Sequence, residues 1–156
     1  MCDKHHFEFE IDGAIRTQVI QKLDASPLHP LQEDVAPPGS GIYALYRRNT
    51  FVYGGKAMDK TTLRRRLNEH YRKIAGRRNI DVGEMSCRWL EIESPWFVRA
   101  AEDAIITPKE GEWQKSGFGS HIPGKGRPGL FAAKWDEEFP PNIAAGVTGI
   151  VDLLEE

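Results

Sequence analysis

The chain has 156 residues, 40% of them hydrophobic and 28% charged, with a net charge of −2 and two cysteines. That length can bury one real core, and the composition is that of a globular protein rather than a disordered or fibrous one. No apolar run approaches the roughly 18 residues of a membrane span, no secretory signal is visible at the N-terminus, and Cys2 and Cys87 stand far apart in no metal-like spacing, so a disulfide framework is excluded and a cytoplasmic location is expected.

In chain order, Phe7 to Ile11 alternate as a short half-buried strand. Ile15, Val19, Ile20 and Leu23 then fall at helical spacing between Gly13 and Leu23. Ser26-Pro27, Pro30 and Ala36-Pro37-Pro38-Gly39 mark a loop. Gly41 to Tyr46 and Phe51 to Gly54 read as two strands of a hairpin joined by Arg47-Arg48-Asn49-Thr50. A helix is predicted from Thr61 to Ala75, with Asp59 as N-cap, Gly76 as stop and the apolar stripe Leu63, Leu67, Tyr71, Ile74. Cys87 to Ile92 reads as a third strand, and Ser94-Pro95 opens a helix to about Ile106. Ser116 to Gly129 carries five glycines in fourteen residues. An irregular loop of that length is usually functional; it either contacts a ligand or covers the core. Asn142 to Leu154 is expected to form a last helix.

Charge is distributed unevenly along these elements. Tyr46 to Arg78 holds eleven Lys or Arg against Asp59 and Glu69, a local +9 that leaves −11 for the remainder. Such a block inside an acidic chain is either a footprint for a polyanion or a solvated helix face.

Four groups of residues could do chemistry. Tyr43 and Tyr53 sit on neighbouring strands beside glycines, either as a site or as cross-strand packing. Arg66 and His70, four apart, share one helix face. The guanidinium suits a phosphate, and an imidazole among cations should resist protonation and could accept a proton; the alternative is a surface histidine on a charged helix. Glu102 has Val98, Ile105 and Ile106 at −4, +3 and +4, so its carboxylate flanks an apolar stripe and must be paired, a divalent cation being one way, or held out in water. Lys56 follows Gly55 at the end of the hairpin, where it can reach a water or phosphate, or simply be solvated.

Taken together, Gly41-Ile42-Tyr43, nine intervening residues and Tyr53-Gly54-Gly55-Lys56-Ala57, followed by Arg66, His70, Glu102 and Gln114, resemble the ordered motifs of the GIY-YIG nucleases. The likeness extends to the small type II restriction enzymes of that superfamily that cut GC-only palindromes of the CCGCGG kind. It is carried by Ser26-Pro27-Leu28-His29-Pro30-Leu31, Gly41-Ile42-Tyr43-Ala44-Leu45-Tyr46, Gly117-Phe118-Gly119-Ser120-His121-Ile122-Pro123-Gly124 and Trp135-Asp136. Three positions depart from the pattern. Gly54 stands where the family usually has a β-branched residue, Gln114 replaces the usual Asn after a Trp, and Thr107 to Glu112 lacks the family's basic character.

The resemblance implies an α/β fold, a small antiparallel sheet of about three central strands flanked by helices, as one nuclease domain. Residues 1–38 would be an N-terminal embellishment, 41–114 the catalytic core, and 115–156 the Gly-rich loop and C-terminal extension. It implies site-specific hydrolysis of double-stranded DNA by a homodimer, possessing a partner methyltransferase for the same site if it belongs to a restriction system. Glu102 would bind one Mg²⁺ or Mn²⁺, Tyr43 would act as general base with His70 taking its proton, Tyr53 and Lys56 would position water and phosphate, and Arg66 would stabilise the transition state. Gln114 completes the set. A repair or mobile-element nuclease, and a DNA-binding relative that does not cut, are the rival readings.

Overall fold

In the computed structural model, residues 10–109, 111–119 and 133–142 are described. Four strands, β1 (His29–Pro30), β2 (Gly41–Arg47), β3 (Thr50–Ala57) and β4 (Met85–Glu91), form one antiparallel sheet in the order β1-β4-β2-β3. Helices α1 (Ile11–Ala25), α2 (Leu63–Ala75) and α3 (Pro95–Lys109), with the short α4 (Glu112–Lys115) and α5 (Lys134–Glu138), flank it. The fold is the expected α/β arrangement, with β1 as an edge strand added to the three central strands that the resemblance implied.

β2 explains the layering. Its residues 41–46 are all buried, because both faces of the sheet are covered and a strand in that position needs no polar alternation. Tyr43 and Leu45 join a cluster with Leu63 and Leu67 of α2 and with Trp113, Phe118 and Trp135. Ile42, Ala44 and Tyr46 join the opposite cluster with α1 and α3. The β2–β3 hairpin closes on Arg48 and Asn49, both at positive φ (48° and 65°). That two-residue turn matches the twist of the strands, so Arg47 and Thr50 pair rather than forming part of the turn.

The differences from expectation have local causes. His29 and Pro30, read as loop, pair with Cys87 and Ser86 as an edge strand; two residues are too few to show a period, and an edge tolerates proline. Asp59 is not the cap of α2. It occupies a turn at φ 60°, and Thr62 caps instead, its hydroxyl accepting from Arg65 N–H at 3.2 Å. The buried stripe of α2 is Leu63, Leu67, His70 and Ile74, with Tyr71 only half-buried; helical spacing admits either residue, and a partner for His70 decides it. Ile11 begins α1 rather than ending a strand. The rest of that expected strand at 7–9, the loop from Ser120 onward with its Ser120–Gly124 stretch, and the expected last helix beyond Asn142 lie outside the described residues. Among the described residues, no helix is long and apolar enough to cross a membrane.

Candidate active site

The site forms where β2, β3, α2 and α3 meet. Tyr43 faces Gly55 across the hairpin, and a Cβ at residue 55 would come within 2.5 Å of the Tyr43 hydroxyl. Glycine is therefore what lets the phenol lie over the strand. Two residues earlier, Tyr53 points to the same side, its ring centroid 6.3 Å from that of Tyr43. From α2, His70 places Nε2 2.7 Å from the Tyr43 hydroxyl. It is only 8% exposed, so it is not the surface histidine that the charged helix allowed.

One turn earlier on α2, Arg66 shares this pocket. Its Nε is buried without a hydrogen-bond partner among the described residues, while Nη1 lies 3.3 Å from Glu69. A buried cationic donor with nothing to bond is costly in a protein at rest, and an incoming anion is one way to satisfy it. On the α3 side of β3, Lys56 forms an ion pair with Glu102, whose side chain is 17% exposed. The carboxylate flanking the apolar stripe is thus paired rather than held in water. Tyr43, Tyr53, Lys56, Arg66, His70 and Glu102 line one hollow of about 260 Å³, together with Gly55, Glu69, Lys73, Phe118 and Gly119. Larger hollows of about 490 and 540 Å³ lie against α1, α3 and β4 and gather no comparable set of groups.

Burial pushes the Tyr43 hydroxyl well above its ordinary value of 10.0, with Tyr53 and Glu102 adding to the shift and Arg66 opposing it. Tyr53 is raised too, by burial first and then by Glu102, again against Arg66. Both phenols therefore keep their protons at neutral pH. For a metal, the donors on offer are oxygens, Glu102 foremost, and no group of three or more His, Cys, Asp or Glu is present among the described residues. That fits a hard divalent cation held by one carboxylate and completed by water and substrate phosphate, not a caged transition metal.

Gln114 is not among the residues lining the hollow. Its Oε1 accepts from Gly111 N–H at 3.1 Å and its Nε2 donates to Gly54 O at 3.0 Å. The side chain closes the start of α4 and occupies a carbonyl on the free edge of β3, a backbone role. Gly54 has its own explanation, since a Cβ there would meet Ile105 Cδ1 at 2.9 Å. The β-branched residue missing from the strand is replaced by a side chain from α3.

Sequence reasoning missed Phe118, Lys73 and Glu69 as pocket residues. Lys73 had a usable signal, for Arg66, His70 and Lys73 are one helix face at i, i+4 and i+7. The basic block also divides. Arg47, Lys73 and Arg77 lie over aromatic rings at 5.2, 4.5 and 5.0 Å from Phe139, Phe118 and Trp135, and Arg77 pairs with Asp136 at 3.0 Å. Arg64, Arg65 and Arg72 stay well exposed on the outer side of α2, so the surface offered to a polyanion is narrower than eleven cations.

A family described as the Eco29kI GIY-YIG domain matches residues 47–148, about two thirds of the chain. No curated protein matches it.

Proposed function

The chain belongs to the family of the Eco29kI GIY-YIG domain, a nuclease domain of restriction-endonuclease type, and from that premise we propose that it is a type II enzyme that cuts double-stranded DNA at a defined site. The observation that carries this reading is the Tyr43–His70 hydrogen bond in the hollow, beside an Arg66 Nε with no hydrogen-bond partner among the described residues.

The chemistry follows from those atoms. Tyr43 holds its proton at neutral pH, so it serves as base by relay. The phenol oxygen accepts a proton from the attacking water as its own proton passes to His70 Nε2, and the charge ends on the imidazole rather than on a buried phenolate. Arg66 donates its Nε–H to a phosphate oxygen and offsets the charge developing there. Tyr53 and Lys56 orient the water and the phosphate. Nucleases of this family generally use divalent metals; Glu102 would hold Mg²⁺ (or Mn²⁺), which when bound supplies Lewis-acid stabilisation of the scissile phosphate and the leaving oxygen. Gln114 acts indirectly, through the backbone of β3.

Outside the hollow, Arg64, Arg65 and Arg72 supply phosphate contacts that hold the duplex without reading its sequence. A palindromic site matches two-fold symmetry, so the working form is a homodimer, partnered in its host by a methyltransferase for the same site. The chain is taken as one nuclease domain with its core at 41–114. Incubation with plasmid and Mg²⁺, followed by sequencing of the ends, tests the reading. One defined cut site supports it. Nicking that follows DNA structure would assign a repair or mobile-element role, and binding without cutting would make the chain a DNA-binding relative.

A further inference from the structure

The short turn Gly117-Phe118-Gly119 takes a place in the site that the proposed chemistry does not use. Phe118 is 2% exposed, and its ring stacks on the His70 imidazole with centroids 5.0 Å apart and planes at 30°. On its other sides the same ring meets Tyr53 edge-on at 5.1 Å, Trp113 at 4.9 Å and Trp135 at 4.7 Å. The imidazole is thus enclosed by Tyr43, Tyr53 and Phe118, and only Phe118 comes from outside the elements that carry the tyrosines and the histidine.

The turn is itself fastened from several directions. Phe118 N–H donates to Trp113 O at 3.0 Å, and Trp135 N–H donates to Ser116 O at 2.9 Å. Lys73 donates to Phe118 O at 2.6 Å and lies 4.5 Å from the Phe118 ring and 4.8 Å from that of Trp135. The flanking glycines permit the approach. Gly117 sits at φ 84°, and a Cβ on Gly119 would fall 2.0 Å from the Tyr53 hydroxyl.

We propose that Phe118, held in place by Lys73, is a positioning residue that keeps the His70 ring in the orientation presenting Nε2 to Tyr43. An imidazole rotates about its side-chain bonds at little cost unless neighbours fix it, and a proton relay fails when its acceptor turns away. The stack supplies that constraint from a face the hydrogen bond cannot reach. This rests on the nuclease reading for its consequence in rate, but its geometric content stands apart from it.

The test uses the full-length chain with Phe118→Leu, Phe118→Tyr and Lys73→Met, each first checked for folding by Tm. NMR of isotope-labelled histidine, with the His70 signals assigned by His70→Ala, reports the tautomer. Wild type should show His70 as one neutral tautomer, protonated on Nδ1, and Phe118→Leu should show a mixture. Single-turnover cleavage by Phe118→Leu should slow about tenfold to a hundredfold, with DNA affinity unchanged and Phe118→Tyr restoring both rate and spectrum. A His70 spectrum identical in wild type and Phe118→Leu overturns the proposal, whatever the rate does. So does a changed spectrum with an unchanged rate. If Phe118→Leu does not fold, Lys73→Met is read by the same two criteria. Should the wild-type chain cut no DNA at all, the nuclease reading falls, and the His70 spectrum still decides whether Phe118 orients the ring.

Discussion

The two faces of the sheet are packed by different means, although β2 feeds both. On the α1–α3 side, aliphatic volume from Val19, Leu23, Ile42, Val98 and Ile105 predominates, and one aromatic pair, Tyr46 with Phe51, meets edge to face within it. Aliphatic groups have no preferred direction beyond close fit. On the α2 side, Trp113, Phe118, Trp135 and Phe139 meet edge to face or tilted and Tyr43 is tilted against Tyr53, while Arg47 of β2, Lys73 of α2 and Arg77 just past α2 lie over rings of this layer. Each of those contacts prefers an angle. A proton relay needs orientation as well as enclosure, and the relay sits on the face where directional contacts predominate. Glu102 crosses the division: its helix belongs to the aliphatic face, yet its carboxylate meets Lys56 in the hollow.

That crossing gives the largest expected effect. Glu102→Ala should reduce cleavage on the order of a thousandfold, because a metal's charge stabilisation is worth several kcal/mol, while DNA binding persists through the arginines of α2. Cleavage by this variant at the wild-type rate in Mg²⁺ would remove Glu102 from the chemistry and return it to packing.

Next, Leu23→Ala on the aliphatic face should cost about 2–5 kcal/mol of stability, measured by denaturant unfolding, yet leave the single-turnover rate of the folded protein and its pH profile intact. A changed pH profile would show that the two faces are not separable.

The relay predicts a particular pH dependence. Because the Tyr43 pKa lies well above 10.0, phenol ionisation contributes no limb between about pH 5.5 and 9. The rise in rate with pH should come instead from His70 becoming neutral, and it should flatten in His70→Ala. A rising limb that survives His70→Ala would assign the proton to another acceptor, with Lys56 the first to examine. The same shift has a consequence for stability. A phenol whose folded pKa is raised binds its proton more tightly in the folded state, so its contribution is fully present below about pH 10 and is lost as pH rises through the folded value. In Tyr43→Phe the alkaline fall in stability should be shallower.

The smallest effect concerns salt. Removing one exposed α2 cation, as in Arg65→Ala, should weaken binding evenly across DNA sequences and reduce the slope of log K against log salt by about 1. Arg77→Ala, whose side chain lies against Trp135 and Asp136, should instead lower Tm and leave the slope nearly unchanged. Equal slopes for the two variants would mean that the basic block acts as one patch.

What could be read from the sequence was what repeats locally. The hairpin, α2 and α3 announced themselves through turn chemistry and helical period, and the ordered motif pointed to the six side chains that share the hollow. The aromatic layer stayed hidden because the pair Trp113 and Phe118 meets the pair Trp135 and Phe139 from far along the chain, with no period to mark the encounter. Gln114 was drawn into the site by its place after a tryptophan, whereas its partners are the backbone of Gly111 and Gly54, which no spacing rule reveals. Asp59 looked like a cap because aspartate caps well; two threonines just downstream competed for the position, and Thr62 took it.

Gly54 and Ile105 also share one space. The space between β3 and α3 holds one bulky group, here contributed by the helix. A β-branched residue on the strand would have to displace the Ile105 Cδ1 methyl or be matched by a smaller residue at 105. Volume at the two positions is shared, so relatives of this chain should more often show one of them large and the other small. An engineered pair, Gly54→Val with Ile105→Ala, should recover most of the stability that Gly54→Val alone loses.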